Sequence, residues 1–428
     1  MKIVILGAGL TGLSAGVELS KKHDVTILEK QGYIGGLASS YSIRWDGNDY
    51  RIPVNYHHIL EDDKFTKDMV KRTGLWKYFY QKKIKFAFHI NSKFIRFSSP
   101  VGFLRFPAPL VEKLKFGRLV LSASRKKDWS RWERYNAKEY IEKHVGKSMY
   151  QKMIRPLQAF KFGGNPDSMS AAWMLNRLGS ESKNFLKKFG YLRGGLDILI
   201  EAMVREITKN RGRVFTGCDV YRLSKKEDKI NSVEYTQNGK RKKIECDAVI
   251  STIPLPGIIK LTGLKDNSLK KVKYRGSICV TYGLREKVSP YYWMMFLDGK
   301  YDFGAAFEHT NLYPDAAPKG KAVMYAVKYT DQKDSLWEKT DERIARIFAR
   351  QLDDVFHGFS SKIEWSLVFR ERFSEPVYDK SYKDYKPTMT TRIMNLYLAG
   401  MPFIFPKIRN MSNAIEGGLE AARLVQKR

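Results

Sequence analysis

Ile3-Val4-Ile5-Leu6 runs without a spacer into Gly7-Ala-Gly9-Leu-Thr-Gly12, and this junction restricts the chain more than any other segment. A short apolar run of this kind makes a strand buried on both faces. Leu13 to Lys21 then carries apolar residues at helical spacing, and a second strand, Asp24 to Leu28, ends on Glu29. Strand, glycine turn, helix, strand and terminal acid is the order a dinucleotide-binding α/β unit requires. Gly7 permits the tight turn out of the strand. At Gly9 a side chain would hold a pyrophosphate away from the backbone, and at Gly12 it would hold the helix away from the sheet. The helix N-terminus, with Leu10 and Thr11, offers free N–H groups and partial positive charge to phosphates. Glu29, twenty residues after Gly9, can accept from both ribose hydroxyls. A bare GxGxxG would be weak; here its flanks are complete.

Glu29-Lys30 is followed by a second glycine pair, Gly35-Gly36-Leu37-Ala38. A nicotinamide site has no use for it. FAD runs on past the second strand and needs close backbone there again. From this point the chain resembles the FAD-dependent amine oxidase superfamily, which includes protoporphyrinogen oxidases, carotenoid desaturases, amine oxidases and UDP-galactopyranose mutases. The resemblance continues in Tyr191-Leu-Arg-Gly194-Gly195-Leu, Val249-Ile-Ser-Thr252-Ile-Pro254, and Leu396-Tyr-Leu-Ala-Gly400 through Ala421-Ala422, in family order over nearly the whole chain.

The resemblance implies FAD as cofactor. It also implies an α/β fold: a Rossmann-like FAD-binding domain assembled from residues 1–60, 191–275 and 386–428, with an inserted α+β substrate domain from 61–190 and 276–385. Residues 61–190 read mostly helical. Val214-Phe-Thr, Ser232-Val-Glu-Tyr and Asp247-Ala-Val-Ile-Ser-Thr read as strands of the FAD domain. Ser277-Ile-Cys-Val-Thr-Tyr and Val323-Met-Tyr-Ala-Val-Lys-Tyr read as antiparallel strands backed by a helix near Asp341 to Leu352.

Further cofactor contacts follow from the resemblance. Val220 stands where relatives hold adenine through the backbone, and Thr252 where a strand approaches the same half of the cofactor. Gly400 opens a second FAD motif in which Asn410, Met411 and Ala414 begin a helix facing the flavin, with the N–H near Met411 at the pyrimidine oxygen. Many relatives carry an acid after the glycine that matches Gly400, and this chain has Met401. The resemblance also places a histidine near Asn55-Tyr56-His57-His58 beside the flavin. Adjacent residues of a strand face opposite ways, so only one of His57 and His58 can point inward. Lys260 follows Pro254 by six residues, much as the flavin-facing lysine of amine oxidases follows a proline; an exposed helical lysine is the alternative. Glu308 and His309, beside Tyr291-Tyr292-Trp293 and Phe303, suit a substrate pocket, with loop packing as the alternative.

The activity implied is an FAD-dependent oxidoreductase passing substrate hydride to flavin N5. Its substrate would be a lipid or isoprenoid, an amine or a porphyrinogen-like molecule. A redox-neutral flavin isomerase acting on a nucleotide sugar is the other reading. Cys218, Cys246 and Cys279 form no CxxC pair, which argues against a disulfide framework, a zinc site or an iron–sulfur cluster and fits a reducing cytoplasm. No leader and no run of about 20 apolar residues is visible.

The net charge is +32, and residues 64–134 concentrate it, with 19 Lys/Arg against four acids. Twelve Trp and Phe residues are interleaved there. An anionic membrane surface or an anionic substrate fits this pattern, as does a solvated basic face over an ordinary core. Nucleic acid is not expected, because no binding motif or basic tail accompanies the charge.

Overall fold

A computed structural model describes residues 1–427 except Ser98, Lys127, Leu186 and Lys187, with no side-chain description at Pro100 and 181–185. The first strand, Lys2–Leu6, is buried from Ile3 onward. It pairs in parallel with Asp24–Leu28 on one side and Ala248–Ser251 on the other. Arg213–Phe215 and Leu396–Leu398 complete a five-stranded, wholly parallel sheet at its two edges. Both faces are covered, so its strands consist almost entirely of residues such as Val4, Ile27, Val249 and Leu396.

Helix Leu10–Leu19 leaves the first strand through the glycine turn and packs against the last helix, Met411–Gln426. The two approach closely because Gly418 lacks a side chain. A Cβ there would lie 2.0 Å from the Thr11 carbonyl oxygen and 2.1 Å from Ser14 Oγ. Ser14 Oγ donates to the Ile415 carbonyl at 3.0 Å and ties the helices together. At Gly12 a Cβ would stand 2.0 Å from the Gly7 oxygen, so this glycine serves helix–turn packing.

A second, seven-stranded sheet has the order Ile363–Pro376, Tyr274–Leu284, Ala322–Thr330, Ala305–Glu308, Trp293–Phe296, Phe86–Ile90, Lys93–Arg96. Its central long strands are antiparallel, as their alternation predicts. Helix Asp341–Asp353 packs Ile344, Phe348 and Leu352 onto it. The stretch 61–190 is mostly helical, as its sequence suggests, and also supplies two strands to this sheet, of which Phe86–Ile90 runs parallel to Trp293–Phe296. One detail differs from the reading of the sequence. Lys229–Gln237, which contains Ser232, does not join the parallel sheet. It is the middle strand of a separate antiparallel meander, Asp219–Lys226, Lys229–Gln237 and Lys240–Glu245. Asn395 fastens that meander down, donating to the carbonyls of Ile230 and Asp247 while its own oxygen accepts from Ile230 N–H. No helix among the described residues is long and apolar enough to cross a membrane.

Gly418→Ala is expected to destabilise the protein by about 1–3 kcal/mol, the usual cost of forcing a methylene into a packed contact. A lowered melting temperature, with loss of bound FAD before global unfolding, checks this.

Candidate active site

A cavity of about 900 Å³ opens at the carboxyl ends of the parallel strands. Leu6-Gly7, Leu28-Glu29, Thr252 and Ala399-Gly400 each follow a strand end and line it. Ligands of parallel α/β sheets bind at this edge. Its far wall comes from elsewhere: Trp293 and Phe369 from the seven-stranded sheet, Lys161 from helix Arg155–Phe162, and Trp173 and Arg177 from helix Ala171–Phe185.

The glycine turn faces the cavity with bare backbone. Gly9 lines it, and a Cβ built there would meet nothing within 4 Å, so a side chain would occupy the cavity alone. Gly9 precedes helix Leu10–Leu19, and no side chain caps that helix. Its first N–H groups and dipole are therefore available to an anion. Gly7 has φ 100° and Gly35 φ 104°, a backbone that other residues adopt only with strain. The Gly35 N–H donates to the Ala8 carbonyl at 2.9 Å, which holds the second glycine pair against the first. Glu29 accepts from the N–H groups of Ala8 and Gln31, both at 2.8 Å, so its carboxylate is oriented at the cavity wall. Lys30 pairs with Asp219 at 3.0 Å beside Val220. Thr252 Oγ1 donates to the Leu6 carbonyl at 2.8 Å, fixing the end of one strand on the next.

At the other end, helix Met411–Gln426 starts at the cavity with Met411 and Ala414 in the wall. Asn410 caps it, accepting from Asn413 N–H at 2.8 Å and donating to Asp63 at 2.9 Å. Burial raises the Asp63 carboxyl to about 7. Met401 lines the cavity and its carbonyl accepts from the Tyr378 hydroxyl at 2.6 Å.

Both His57 and His58 line the cavity. The expectation that only one could do so assumed a strand. The segment is irregular, since the preceding strand ends at Pro53, and strand alternation does not apply. His57 Nδ1 lies 2.9 Å from the Asn55 carbonyl, which can only accept, so Nδ1 carries the proton and Nε2 is left as an acceptor. His58 Nδ1 meets the Tyr292 hydroxyl at 3.1 Å. Burial, reinforced by Arg409, holds the His57 imidazole down to about 4; burial and His57 hold His58 at about 3.

Beside them lies a cluster that sequence reasoning did not assemble. Glu375, fully buried, accepts from Arg409 Nε at 2.7 Å and Lys161 Nζ at 3.0 Å. Arg409 and Lys161 both also donate to the Tyr329 hydroxyl, which lies 3.4 Å from that of Tyr56. Burial pushes the Tyr329 phenol up, but the Arg409 and Lys161 cations outweigh it and hold it below its ordinary value. Glu375 follows the same logic: burial raises it and the two cations bring it below the usual carboxylate range. Two cations against one carboxylate leave a net positive wall, with Arg409, Lys161 and Tyr56 reaching the cavity.

The remaining expectations separate. Lys260 sits at the cavity on helix Leu255–Thr262 but is exposed, at the rim. The structure does not bring Glu308 and His309 to the cavity. Both are fully buried behind the aromatic layer. Glu308 accepts from Ser289 N–H at 2.7 Å, and burial raises it to about 8; His309 Nε2 meets the Tyr191 hydroxyl at 3.2 Å. Of the aromatic residues beside them, Trp293 packs on Phe307 and also reaches the cavity, whereas Tyr291, Tyr292 and Phe303 do not line it.

Two cradles of bare backbone, two helix N-termini on one cavity and a ribose-height acid define a flavoprotein of the FAD-binding α/β class. The chain belongs to the flavin containing amine oxidoreductase family, whose model matches residues 10–426. FAD is the family's cofactor, and the open Gly9 backbone and uncapped helix fit it. Similar proteins include the flavin-dependent L-tryptophan oxidase of Lentzea aerocolonigenes, 26% identical over 76% of this chain and 74% of the relative. Coproporphyrinogen III oxidase of Bacillus subtilis is 23% identical over 94% of this chain and 93% of its own. In fold the chain is similar to reduced UDP-galactopyranose mutase, with TM-score 0.74, 17% identity, and coverage of 100% of this chain and 94% of that one. An oxidoreductase of Methanosarcina mazei matches with TM-score 0.75 and 16% identity, covering both chains fully.

Gly9→Val is expected to leave the melting temperature of the FAD-free protein nearly unchanged while weakening FAD retention about tenfold or more, equivalent to about 1.4 kcal/mol. Flavin absorbance after gel filtration reads the effect. A second expectation concerns pH. The buried histidines take up a proton in the unfolded chain near 6.5 but in the folded one only at about 4 and 3. Their contribution to stability is full above 6.5 and is lost as pH falls toward 4. The slope of melting temperature against pH over that interval should flatten in His57→Gln/His58→Gln.

Proposed function

We propose that the protein is an FAD-dependent oxidoreductase that takes hydride from a small organic substrate bearing an anionic group. The observation that carries the reading is the buried Arg409–Glu375–Lys161 cluster at the cavity, whose two cations exceed its one carboxylate. A buried guanidinium binds a carboxylate or phosphate more strongly than an exposed one, because water does not screen it. When bound, FAD supplies the two-electron acceptor; the chain supplies orientation and the exclusion of water.

Residues 1–60, 191–275 and 386–428 hold the cofactor, and 61–190 with 276–385 form the substrate side. Arg409 and Lys161 orient the anionic group. His57, neutral at pH 7 with Nε2 as acceptor, holds a substrate N–H or O–H. Its depressed pKa argues for hydrogen bonding rather than proton storage. The L-tryptophan and coproporphyrinogen oxidases among the relatives support an oxidase reading; amines, porphyrinogens and lipids or isoprenoids are the substrate classes to be tried.

The test begins with the visible spectrum of the purified protein, which should show flavin bands near about 450 and 370 nm, with or without added FAD. Amines, amino acids, porphyrinogens and isoprenoids are then mixed with it without oxygen. Bleaching by one class identifies the substrate. Absence of bands after FAD addition overturns the reading. Turnover of a nucleotide sugar that requires reduced flavin and leaves it reduced replaces the reading with an isomerase. Arg409→Lys should raise KM for an anionic substrate about tenfold, with a much smaller effect on an uncharged analogue, because a single ammonium does not reproduce the guanidinium fork.

A further inference from the structure

The apolar surface of this molecule is unevenly distributed. Among the described residues, every exposed Leu and Val lies between positions 101 and 121: Val101, Leu104, Leu110, Val111, Leu114 and Leu121, each 53–64% exposed. Isolated exposed apolar residues are ordinary, but a cluster confined to two consecutive helices marks an interaction surface.

The helices are Pro100–Arg105 and Leu110–Ser124. The longer one already has a buried face. Lys113, Phe116 and Ala123 turn inward, with Ala123 packed against Gly179 of helix Ala171–Phe185. Leu110, Leu114 and Leu121 recur at helical spacing on the opposite side, with Val111 alongside. A helix apolar on both sides should be covered on both. Here the outer side is open, and Arg105, Lys115, Arg118, Arg125 and Lys126 stand exposed on the same two helices and just beyond. This is the centre of the basic stretch 64–134, of which Lys127 lies outside the described residues.

We propose that the outer face of helices Pro100–Arg105 and Leu110–Ser124 docks on an anionic lipid bilayer. The leucines and valines enter the headgroup–acyl boundary and the Lys and Arg side chains meet lipid phosphates. Apolar residues ringed by cations on a surface helix are the combination that binds such an interface, and each basic residue strengthens it. Charge selects this occupant over a second copy of the chain, which at +32 would bring like charge against like. Aliphatic side chains give nucleic-acid bases no stacking surface. The inference is independent of the redox reading, since it concerns a face apart from the cavity.

The experiment is co-sedimentation of the FAD-loaded full chain with vesicles of equal parts phosphatidylcholine and phosphatidylserine, and with vesicles of phosphatidylcholine alone. The protein should pellet with the anionic vesicles, with weaker binding at about 1 M salt, where the screening length falls to about 3 Å. Leu114→Glu/Leu121→Glu and Lys115→Glu/Arg118→Glu should each reduce binding about tenfold or more with an unchanged flavin spectrum. If the glutamates lower the melting temperature, Leu114→Ser/Leu121→Ser decides in their place. No pelleting, equal pelleting with both vesicle types, or unaltered binding by the variants overturns the proposal. So does a dimer in sedimentation velocity that the leucine variant converts to monomer, which would make the face a self-association surface.

Discussion

The architecture depends on one close approach, the contact of helix Leu10–Leu19 with helix Met411–Gln426 across Gly418. Because no side chain intervenes, the Thr11 carbonyl and the last helix share a space that one methyl group would fill. Both helices begin at the same edge of the parallel sheet, so the contact also brings two N-termini to one cavity. Each offers partial positive charge, one beside the glycine turn and the other beside Asn410.

A second constraint acts at the inner wall. Glu375, Lys161 and Arg409 would each be costly to bury alone. Together with the Tyr329 hydroxyl they satisfy one another, and the excess cation faces the cavity. Removing one member would leave the others buried without a partner, which is costly. Burial is what keeps both histidines unprotonated, and Arg409 adds to it at His57.

The cofactor end of this arrangement was legible in the sequence because its signals are local. Gly7, Gly9, Gly12 and Glu29 fall within 23 residues, and strand, turn and helix follow from apolar spacing. Gly400 to Ala414 form a similarly compact stretch. The substrate wall was not legible because its members, Lys161, Tyr329, Glu375 and Arg409, come from four distant segments and share no spacing. Glu308 and His309 misled for a related reason: polar residues among aromatics suit a pocket, and only packing reveals that the aromatics face one another. For His57 and His58, strand alternation was carried four and five residues past Pro53, where the strand that justified it ends.

The fastening of the last strand has a consequence for biogenesis. Leu396–Leu398 joins a sheet whose first strand is Lys2–Leu6, and Gly418 closes on Thr11 across nearly the whole polypeptide. Contacts this distant in sequence are slow to form, because loop closure comes before any compensating burial. During vectorial synthesis the N-terminal glycine turn therefore waits, half-walled, until the final helix has emerged. Until then the cavity lacks the wall that Met411 and Ala414 supply.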